Sequence, residues 1–202
     1  MVKTFLKPIV FALALAPALG LLYALLAGAL GVNPAETLQL STGLWAFRFL
    51  LVTLAITPVR RITGWNGIIR FRRMLGLFAF FYATLHVLTW IVLDHSFAWD
   101  EAAADIVKRP FITAGMVAFA SMVPLAITST KGWIRRLGRR WQLLHRLIYV
   151  SALAAAVHFI WKVKVVYGEP VYYAAIVIGL LGFRVVTMWR RTRAMSTQPT
   201  RV

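Results

Sequence analysis

Six stretches of about 20 apolar residues, joined by short polar loops, dominate the 202-residue sequence. They lie at roughly 9–30, 41–57, 75–93, 110–128, 142–160 and 171–189. A helix of about 20 residues is about 30 Å long and therefore crosses the hydrocarbon core of a bilayer. The composition agrees, because 60% of the residues are hydrophobic, 14% are charged and the mean hydropathy is +0.74. The sequence therefore predicts an all-α integral membrane protein whose six transmembrane helices form one bundle, a single domain over residues 1–202.

The first apolar run has some features of a secretory signal peptide. Lys3 and Lys7 precede it, and Ala-Leu-Ala stands at 14–16. The run continues to Leu30, however, which is longer than the apolar segment of a signal peptide. We therefore expect a retained first transmembrane helix.

Basic and acidic residues segregate to alternate loops. One set consists of the loops 58–74 and 129–141 and the two terminal segments. Together these hold sixteen Lys and Arg and no acid. The other set holds all six acids, which are Glu36, Asp94, Asp100, Glu101, Asp105 and Glu169. Because Lys and Arg in short loops stay cytoplasmic, both termini are predicted to be cytoplasmic in a bacterial inner membrane. The net charge of +17 reflects this asymmetry and an attraction to anionic membrane lipid. Nucleic-acid binding is not expected, since no soluble basic module is present.

The lack of cysteine restricts the possible cofactors. No Cys occurs in the sequence, which excludes disulfides, iron–sulfur clusters, thiolate zinc sites and covalently attached haem. Any metal would be held by His or by oxygen ligands. No glycine-rich nucleotide-binding motif occurs, and only about 13 residues follow the sixth predicted span. We therefore expect no appended nucleotide domain and a separate source of electrons.

Three of the four histidines fall inside predicted spans, His86 in the third and His145 and His158 in the fifth. Ionisable residues are costly in hydrocarbon and so indicate function. A single intramembrane His is commonly a packing residue, but three on two helices indicate axial ligands of haem iron. Two imidazoles on one iron form a site for electron transfer. His95 stands beside Asp94 in the outer acidic loop, and we interpret it as an exposed loop residue.

Depth in the membrane selects the predicted axial pair. At 1.5 Å per residue, His86 lies roughly 17 Å from the inner end of its span, His158 roughly 24 Å and His145 roughly 5 Å. His86 and His158 are therefore the predicted pair. Mostly small residues precede both on the same helix face and would leave room for a porphyrin. They are Ala79, Tyr82 and Ala83 before His86, and Ser151, Ala154 and Ala155 before His158.

His145 has no evident partner in the sequence. Thirteen residues separate it from His158, so on a straight helix the two side chains point about 140° apart. At the matching depth the third span begins with arginines, which are Arg70, Arg72 and Arg73. Three interpretations stay open: His145 pairs with an unusual ligand, it hydrogen-bonds a haem propionate or a flavin, or the protein holds only one haem.

Three arginines also lie inside predicted spans. Arg146 and Arg184 lie within two turns of the inner surface, and Arg48 lies a similar distance from the outer end. Each can anchor the protein by extending to the membrane surface. If haem is bound, Arg48 and Arg146 are the predicted partners of its propionates. Trp65 and Trp133 lie among inner arginines, which suits a flavin and equally suits an interfacial aromatic belt.

Three short motifs carry a resemblance to a known family. They are R-R-M-L-G-L at 72–77 leading into Y-A-T-L-H at 82–86, W-Q-L-L-H-R-L-I-Y at 141–149, and V-H-F at 157–159. With the six-span layout, they resemble the MsrQ family within the ferric reductase-like transmembrane superfamily. These are the haem-binding membrane subunits of periplasmic methionine sulfoxide reductase systems. Ferric reductases and oxidases differ, since they carry a cytoplasmic flavin and NADPH domain.

The resemblance implies b-type haem held by His86, His145 and His158, and a bound FMN. It also implies electrons drawn from the quinone pool or a cytoplasmic flavin reductase. These would pass to a periplasmic molybdopterin-containing catalytic subunit that repairs oxidised methionine in envelope proteins. Larger superfamily members use two histidines on the third helix, where this sequence has only His86, so one haem or two stays open.

Two other functions are compatible with the sequence. One is a b-type cytochrome of another pathway, such as a stand-alone metalloreductase. The other is a non-redox transporter or assembly factor whose histidines relay protons or bind an ion. Against the second, the predicted spans show no obvious inverted repeat and no carboxylate. The acidic outer loop from Asp94 to Asp105 is the predicted docking site of a periplasmic partner.

Overall fold

The structure, a computed structural model, describes residues 2–163 and 168–196, and its regular elements in these ranges are helical. The α-helices are α1 Val2–Leu26, α2 Pro34–Thr63, α3 Arg72–Thr89, α4 Trp99–Lys108, α5 Pro110–Ile127, α6 Lys131–Leu137, α7 Arg139–Leu144, α8 Leu147–Val163 and α9 Glu169–Ser196. A 3₁₀-helix, Asn66–Phe71, leads into α3, and a π-helix, Trp90–Asp94, follows it. Lys164 and Arg201, which contribute to the predicted charge asymmetry, lie outside the described residues.

The six predicted transmembrane helices are confirmed. Six helical segments are long and apolar enough to cross a membrane: Leu6–Leu26, Pro34–Thr63, Asn66–Asp94, Pro110–Ile127, Arg139–Val163 and Glu169–Arg190. A helix satisfies its own backbone hydrogen bonds, which is a requirement inside hydrocarbon. We call the end of the bundle that carries the acids the acidic end and the opposite end, with loops 58–74 and 129–141, the basic end.

The first two spans differ in length from the prediction. The first ends at Leu26 rather than near residue 30, because Gly28 and Gly31 adopt φ of 65° and 85°. Glycine reaches this left-handed conformation without steric cost and so ends the helix. The second span is longer than predicted. Its helix begins with Pro34 in the first turn and ends before Gly64, which has φ 71°.

The fifth predicted span is interrupted next to His145. Helix α7 ends at Leu144 and α8 begins at Leu147. Across the junction the backbone bonds are of the three-residue type, with Arg146 N donating to Leu143 O at 3.0 Å and Tyr149 N to Arg146 O at 3.0 Å. The straight helix assumed when His145 and His158 were placed about 140° apart is therefore wrong.

Two helix pairs form the centre of the bundle. Helix α2 packs along α3, and α5 packs along α8, while α9 lies against α8 and α2. Tyr82 is fully buried at the centre of the core. Its ring stacks on Phe49 with centroids 5.3 Å apart, and these apolar contacts hold α2 on α3.

Helix α1 is attached to the bundle through the Tyr82 hydroxyl. The hydroxyl donates to Ala14 O at 2.8 Å and accepts from Ala18 N at 3.0 Å. These two backbone groups stand four residues apart, so the hydroxyl bonds both groups of one turn of α1. The bond therefore fixes the position of α1 along α3.

The segment from Asp94 to Asp105 is not a simple loop. After the π-helix, Ser96 and Phe97 adopt φ of 48° and 65°, and the chain reverses into helix α4. The prediction that His95 is exposed is wrong, because only 9% of its side chain is accessible. Its ring packs edge-on against Trp90 with centroids 4.7 Å apart, since the reversal folds His95 inward under α4.

Candidate functional site

His86 of α3 and His158 of α8 face each other across the bundle. Their ring centroids are 6.0 Å apart, and the ring planes meet at 75°. His86 Nδ1 lies 2.9 Å from Gln39 O, and His158 Nδ1 lies 2.6 Å from Phe111 O. A carbonyl only accepts, so each Nδ1 is assigned as the donor, and the lone pair is left on Nε2. In the neutral form of each ring, Nε2 is therefore the nitrogen that can bind a metal.

The geometry of this pair fits the axial positions of a haem. Among residues 2–163 and 168–196, no three His, Cys, Asp or Glu side chains gather to hold a bare metal ion. A haem needs only two protein ligands, because its macrocycle supplies the others. Two imidazole nitrogens each about 2 Å from a metal would hold their ring centroids roughly 6 Å apart. The observed separation of 6.0 Å matches this value.

The two histidines line a cavity of about 570 Å³ that lies between the helix pairs. Its wall is largely apolar and includes Leu40, Leu44, Phe47, Phe119 and Met122. Of the small residues predicted to make room for a porphyrin, Ala83 and Ala155 line it, whereas Ala79 and Ser151 are fully buried in helix packing. The volume and the apolar wall are typical of a site for a flat organic cofactor.

Two glycines behind the histidines are essential to this arrangement. A Cβ atom at Gly43 of α2 would lie 2.9 Å from Cε1 of His86, and one at Gly115 of α5 would lie 2.8 Å from Nδ1 of His158. Both distances are shorter than a real contact, so only glycine lets each ring lie against the neighbouring helix. Both glycines also line the cavity. Neither glycine was among the site residues predicted from the sequence.

A repeat in the sequence would have revealed these glycines. His86 and His158, Gly43 and Gly115, and Gln39 and Phe111 are each separated by 72 positions. In both halves the histidine bonds a carbonyl 47 residues earlier in the chain. The pairs α2–α3 and α5–α8 run in the same direction, so the repeat is parallel, which agrees with the lack of an inverted repeat. The position that matches His145 in the first half holds Arg73.

Comparison with known proteins places this chain in a family. The family described as ferric reductase like transmembrane component matches residues 42–156. A heme-binding subunit MsrQ of protein-methionine-sulfoxide reductase from Xanthomonas campestris pv. campestris is 53% identical over 84% of this chain and 76% of its own length. Proteins of the same name from Xanthomonas euvesicatoria pv. vesicatoria and Herminiimonas arsenicoxydans are 52% and 48% identical, over 84% and 93% of this chain and 76% and 88% of their own lengths. The chain belongs to the MsrQ family. The resemblance seen in the sequence motifs is thereby confirmed.

His145, the third intramembrane histidine of this MsrQ chain, lies outside the cavity. It ends α7, and its ring stacks on Trp141 with centroids 3.8 Å apart. Its Nδ1 lies 3.1 Å from Trp141 O, a contact within one helical turn. Within the described ranges, no other imidazole lies against it. The structure thus joins His86 with His158 and leaves His145 near the basic end.

The two arginines predicted to bind propionates do not line the cavity. Arg48 Nε donates to the Tyr173 hydroxyl at 2.8 Å, and its guanidinium lies 4.9 Å from the centre of the Trp45 ring. Arg146 is exposed at the start of α8. The basic residues that do line the cavity are Arg109 and Lys162, at the acidic end.

A separate polar cluster surrounds Arg184 of α9 near the basic end. Its guanidinium donates to the Tyr149 hydroxyl at 2.5 Å, to Thr57 Oγ1 at 3.2 Å and to Leu54 O at 3.4 Å. Arg72 of α3 lies close enough to interact electrostatically with it. Arg184 therefore points into the bundle rather than extending to the membrane surface as the sequence predicted. Two cations this close in a low-dielectric region favour an anionic partner.

Proposed function

We propose that this chain is a b-type cytochrome subunit that carries electrons across the inner membrane to a methionine sulfoxide reductase. The observation that supports this best is the pair His86 and His158, whose imidazole rings are fixed at a separation that suits two ligands of one haem iron. A haem held by this pair would supply a one-electron carrier. With both imidazoles as ligands, no open position would be left on the iron for oxygen or substrate, as in an electron-transfer protein.

The remaining walls of the cavity have distinct roles in this proposal. Gly43 and Gly115 admit the two rings, and the apolar side chains exclude water. We assign the propionates to Lys162 and Arg109, because these cations line the cavity at its acidic end, and charge-assisted hydrogen bonds to carboxylates are strong. Arg48 and Arg146, predicted for this role from the sequence, are given no part in this cavity.

We propose one haem per chain, because the described residues provide one facing pair of histidines. His145 lacks an opposing imidazole within them, and Arg73 occupies the matching position of the repeat. We propose that FMN binds near the basic end, where Arg72, Arg184 and the Tyr149 hydroxyl can meet its phosphate. His145, stacked on Trp141, would then lie on the side from which electrons arrive.

The direction of transfer follows from the charges of the loops. The basic end is proposed to be cytoplasmic, which places both termini inside and the haem cavity toward the periplasm. Electrons would come from the quinone pool or a cytoplasmic flavin reductase. The acceptor would be a periplasmic molybdopterin-containing catalytic subunit, since relatives are named as subunits of protein-methionine-sulfoxide reductase.

The test is the dithionite-reduced minus oxidised absorption spectrum of the purified protein, with haem counted by pyridine haemochrome. We expect a low-spin b-type spectrum and about one haem per chain. His86→Ala and His158→Ala should each abolish it, whereas His145→Ala, the matched intramembrane control, should retain it. A colourless wild-type protein after adequate haem supply would favour the transporter or assembly factor instead.

A second experiment separates this proposal from a metalloreductase of another pathway. Deleting the gene should abolish periplasmic reduction of protein-bound methionine sulfoxide, and the wild-type gene should restore it. The His86→Ala variant should not restore it, provided that it reaches the membrane in normal amount. If sulfoxide reduction is unchanged in the deletion while metal reduction is lost, the other pathway is the correct one.

A further inference from the structure

A second cavity, of about 540 Å³, lies at the acidic end. We call it the outer cleft. It is lined mainly by polar side chains, which are Asp94, His95, Glu101, Asp105, Lys108 and Arg109, together with Trp90. The proposed haem site makes no use of His95 or Glu101, so the cleft needs an explanation of its own.

His95 is the unusual residue of the outer cleft. Its side chain is about nine-tenths buried, with 9% accessible, and its Nε2 makes no hydrogen bond within the described residues. Nε2 lies 3.6 Å from the nearer Asp105 carboxylate oxygen, beyond hydrogen-bond range. A buried polar atom without a partner is costly and indicates an interaction that the isolated chain does not complete.

Trp90 connects the outer cleft to the cavity of the paired histidines. It lines both cavities, as do Asp94 and Arg109. It stands four residues after His86, one helical turn closer to the acidic end, and its ring contacts His95 with centroids 4.7 Å apart. The two aromatic rings thus form a continuous contact from the wall of the haem cavity to the floor of the outer cleft.

The backbone around this contact is irregular in two ways. Trp90 begins the π-helix, and the non-glycine residues Ser96 and Phe97 both have φ in the left-handed region. Short π-helices and such strained residues are maintained mainly at functional sites. Here they turn His95 back onto Trp90, so the strain has a definite structural result.

From this juxtaposition we infer that the outer cleft is the electron exit, on which a soluble partner docks with a basic surface around its redox centre. The inference rests on the proposed function. With a haem held between His86 and His158, the electron delivered to the partner would leave through the Trp90 and His95 contact. The haem would be oxidised by one electron and the partner's centre reduced by one, with no covalent bond formed or broken. A partner docked on the outer cleft would lie against His95, at the outer end of this contact.

The charge of the outer cleft indicates the charge of the partner surface that would bind there. Asp105 and Arg109 pair with each other at 3.2 Å. Among the described residues, Asp94 and Glu101 form no ion pair, and they outnumber the remaining cation, Lys108. The outer cleft therefore attracts a basic surface and accelerates its encounter at low ionic strength.

The first test uses small acceptors of opposite charge on the haem-loaded protein. Stopped-flow oxidation of the reduced protein is measured with hexaammineruthenium(III), a cation, and with ferricyanide, an anion. We expect Glu101→Lys to slow oxidation by the cation about threefold or more and to speed oxidation by the anion. Glu36→Lys is the control, because it makes the same charge change at the acidic end outside both cavities. Equal effects of the two variants would overturn the inference.

The second test separates docking from transfer with the periplasmic catalytic subunit as the probe. Surface plasmon resonance measures its binding to the purified protein in detergent, a readout that does not require electron transfer. Glu101→Lys should weaken binding about threefold or more, mainly by slowing association at low salt. With haem loaded and its spectrum unchanged, Trp90→Leu should transfer electrons at least several-fold more slowly than Trp90→Phe.

The outcomes distinguish the two levels of the proposal. If the wild-type protein holds no haem, the proposed function and this inference both fail. If haem is present but Trp90→Leu transfers electrons at the wild-type rate, only the inference fails. Binding of the catalytic subunit that is unchanged or strengthened by Glu101→Lys would likewise exclude a basic partner surface.

Discussion

The imidazole rings of His86 and His158 lie 6.0 Å apart because each is held from behind by a carbonyl 47 residues earlier in the chain. Gln39 O fixes the His86 ring, and Phe111 O fixes the His158 ring. Gly43 and Gly115, each four residues further along the same helix as the carbonyl, let the rings approach these helices. The site is thus built from two similar helix pairs placed face to face. Its geometry is set by backbone groups, so it depends on helix packing as much as on the ligands themselves.

Replacing the glycines should disturb the ligands without removing them. Gly43→Ala and Gly115→Ala would each bring a methyl group to within 3 Å of a histidine ring, so we expect at least half of the bound haem to be lost, or a change in its spectrum. Gly179→Ala is the matched control, because no atom lies within 4 Å of its added Cβ. All three gain helix propensity equally. Normal haem content in both site variants would contradict the assigned role.

Removing the Tyr82 hydroxyl should loosen α1. In Tyr82→Phe, Ala14 O and Ala18 N lose their hydroxyl partner, and we expect a loss of about 1–3 kcal/mol of stability. Thermal unfolding in detergent, followed by tryptophan fluorescence, measures the change. Tyr23→Phe serves as the control because Tyr23 is 74% exposed. An equal effect of the two substitutions would show that α1 does not depend on this bond.

Removing a cation at the mouth of the haem cavity should lower its reduction potential. Lys162 lines that cavity, and a positive charge favours the reduced form, which carries one positive charge less. We therefore expect Lys162→Gln to lower the midpoint potential by on the order of tens of millivolts. Spectroelectrochemical titration gives the value. Lys108→Gln is the comparison, because Lys108 lines only the outer cleft, and equal shifts would argue against a propionate near Lys162.

The Arg184 cluster should affect flavin and not haem. Arg184→Lys would lose several of the hydrogen bonds that its guanidinium makes, so we expect FMN content to fall at least several-fold with haem unchanged. FMN released by denaturation is measured by fluorescence. Arg146→Lys, at an exposed position, is the control. If the Arg184 variant retains its FMN, the flavin lies elsewhere.

Reporter fusions should establish the orientation. Green fluorescent protein fused after residue 202 should fluoresce, and alkaline phosphatase at the same point should be inactive, because both reporters depend on the compartment. Alkaline phosphatase inserted between Ser96 and Phe97, at the acidic end, should be active. The opposite pattern would reverse the proposed direction of electron flow.

Much of the fold could be predicted because hydrocarbon imposes strong rules. Six apolar runs of helical length required six spans, and the absence of Cys left His as the metal ligand. Helix rise alone placed His86 and His158 at compatible depths, and the structure brings these two together. The sequence also contains the 72-residue repeat that relates Gly43 to Gly115, although neither glycine was among the predicted site residues.

Other features depended on tertiary contacts that no local sequence pattern indicates. The break beside His145 interrupts the helix that the sequence predicted to be continuous, and the reversal at Ser96 and Phe97 buries His95 against Trp90. Arg184 was expected at the membrane surface but bonds Tyr149 inside the bundle. The sequence by itself determined which segments enter the membrane, because burial of apolar surface and backbone hydrogen bonding are properties of each helix alone. Only the tertiary structure decided which polar groups meet, because their partners come from helices distant in the chain.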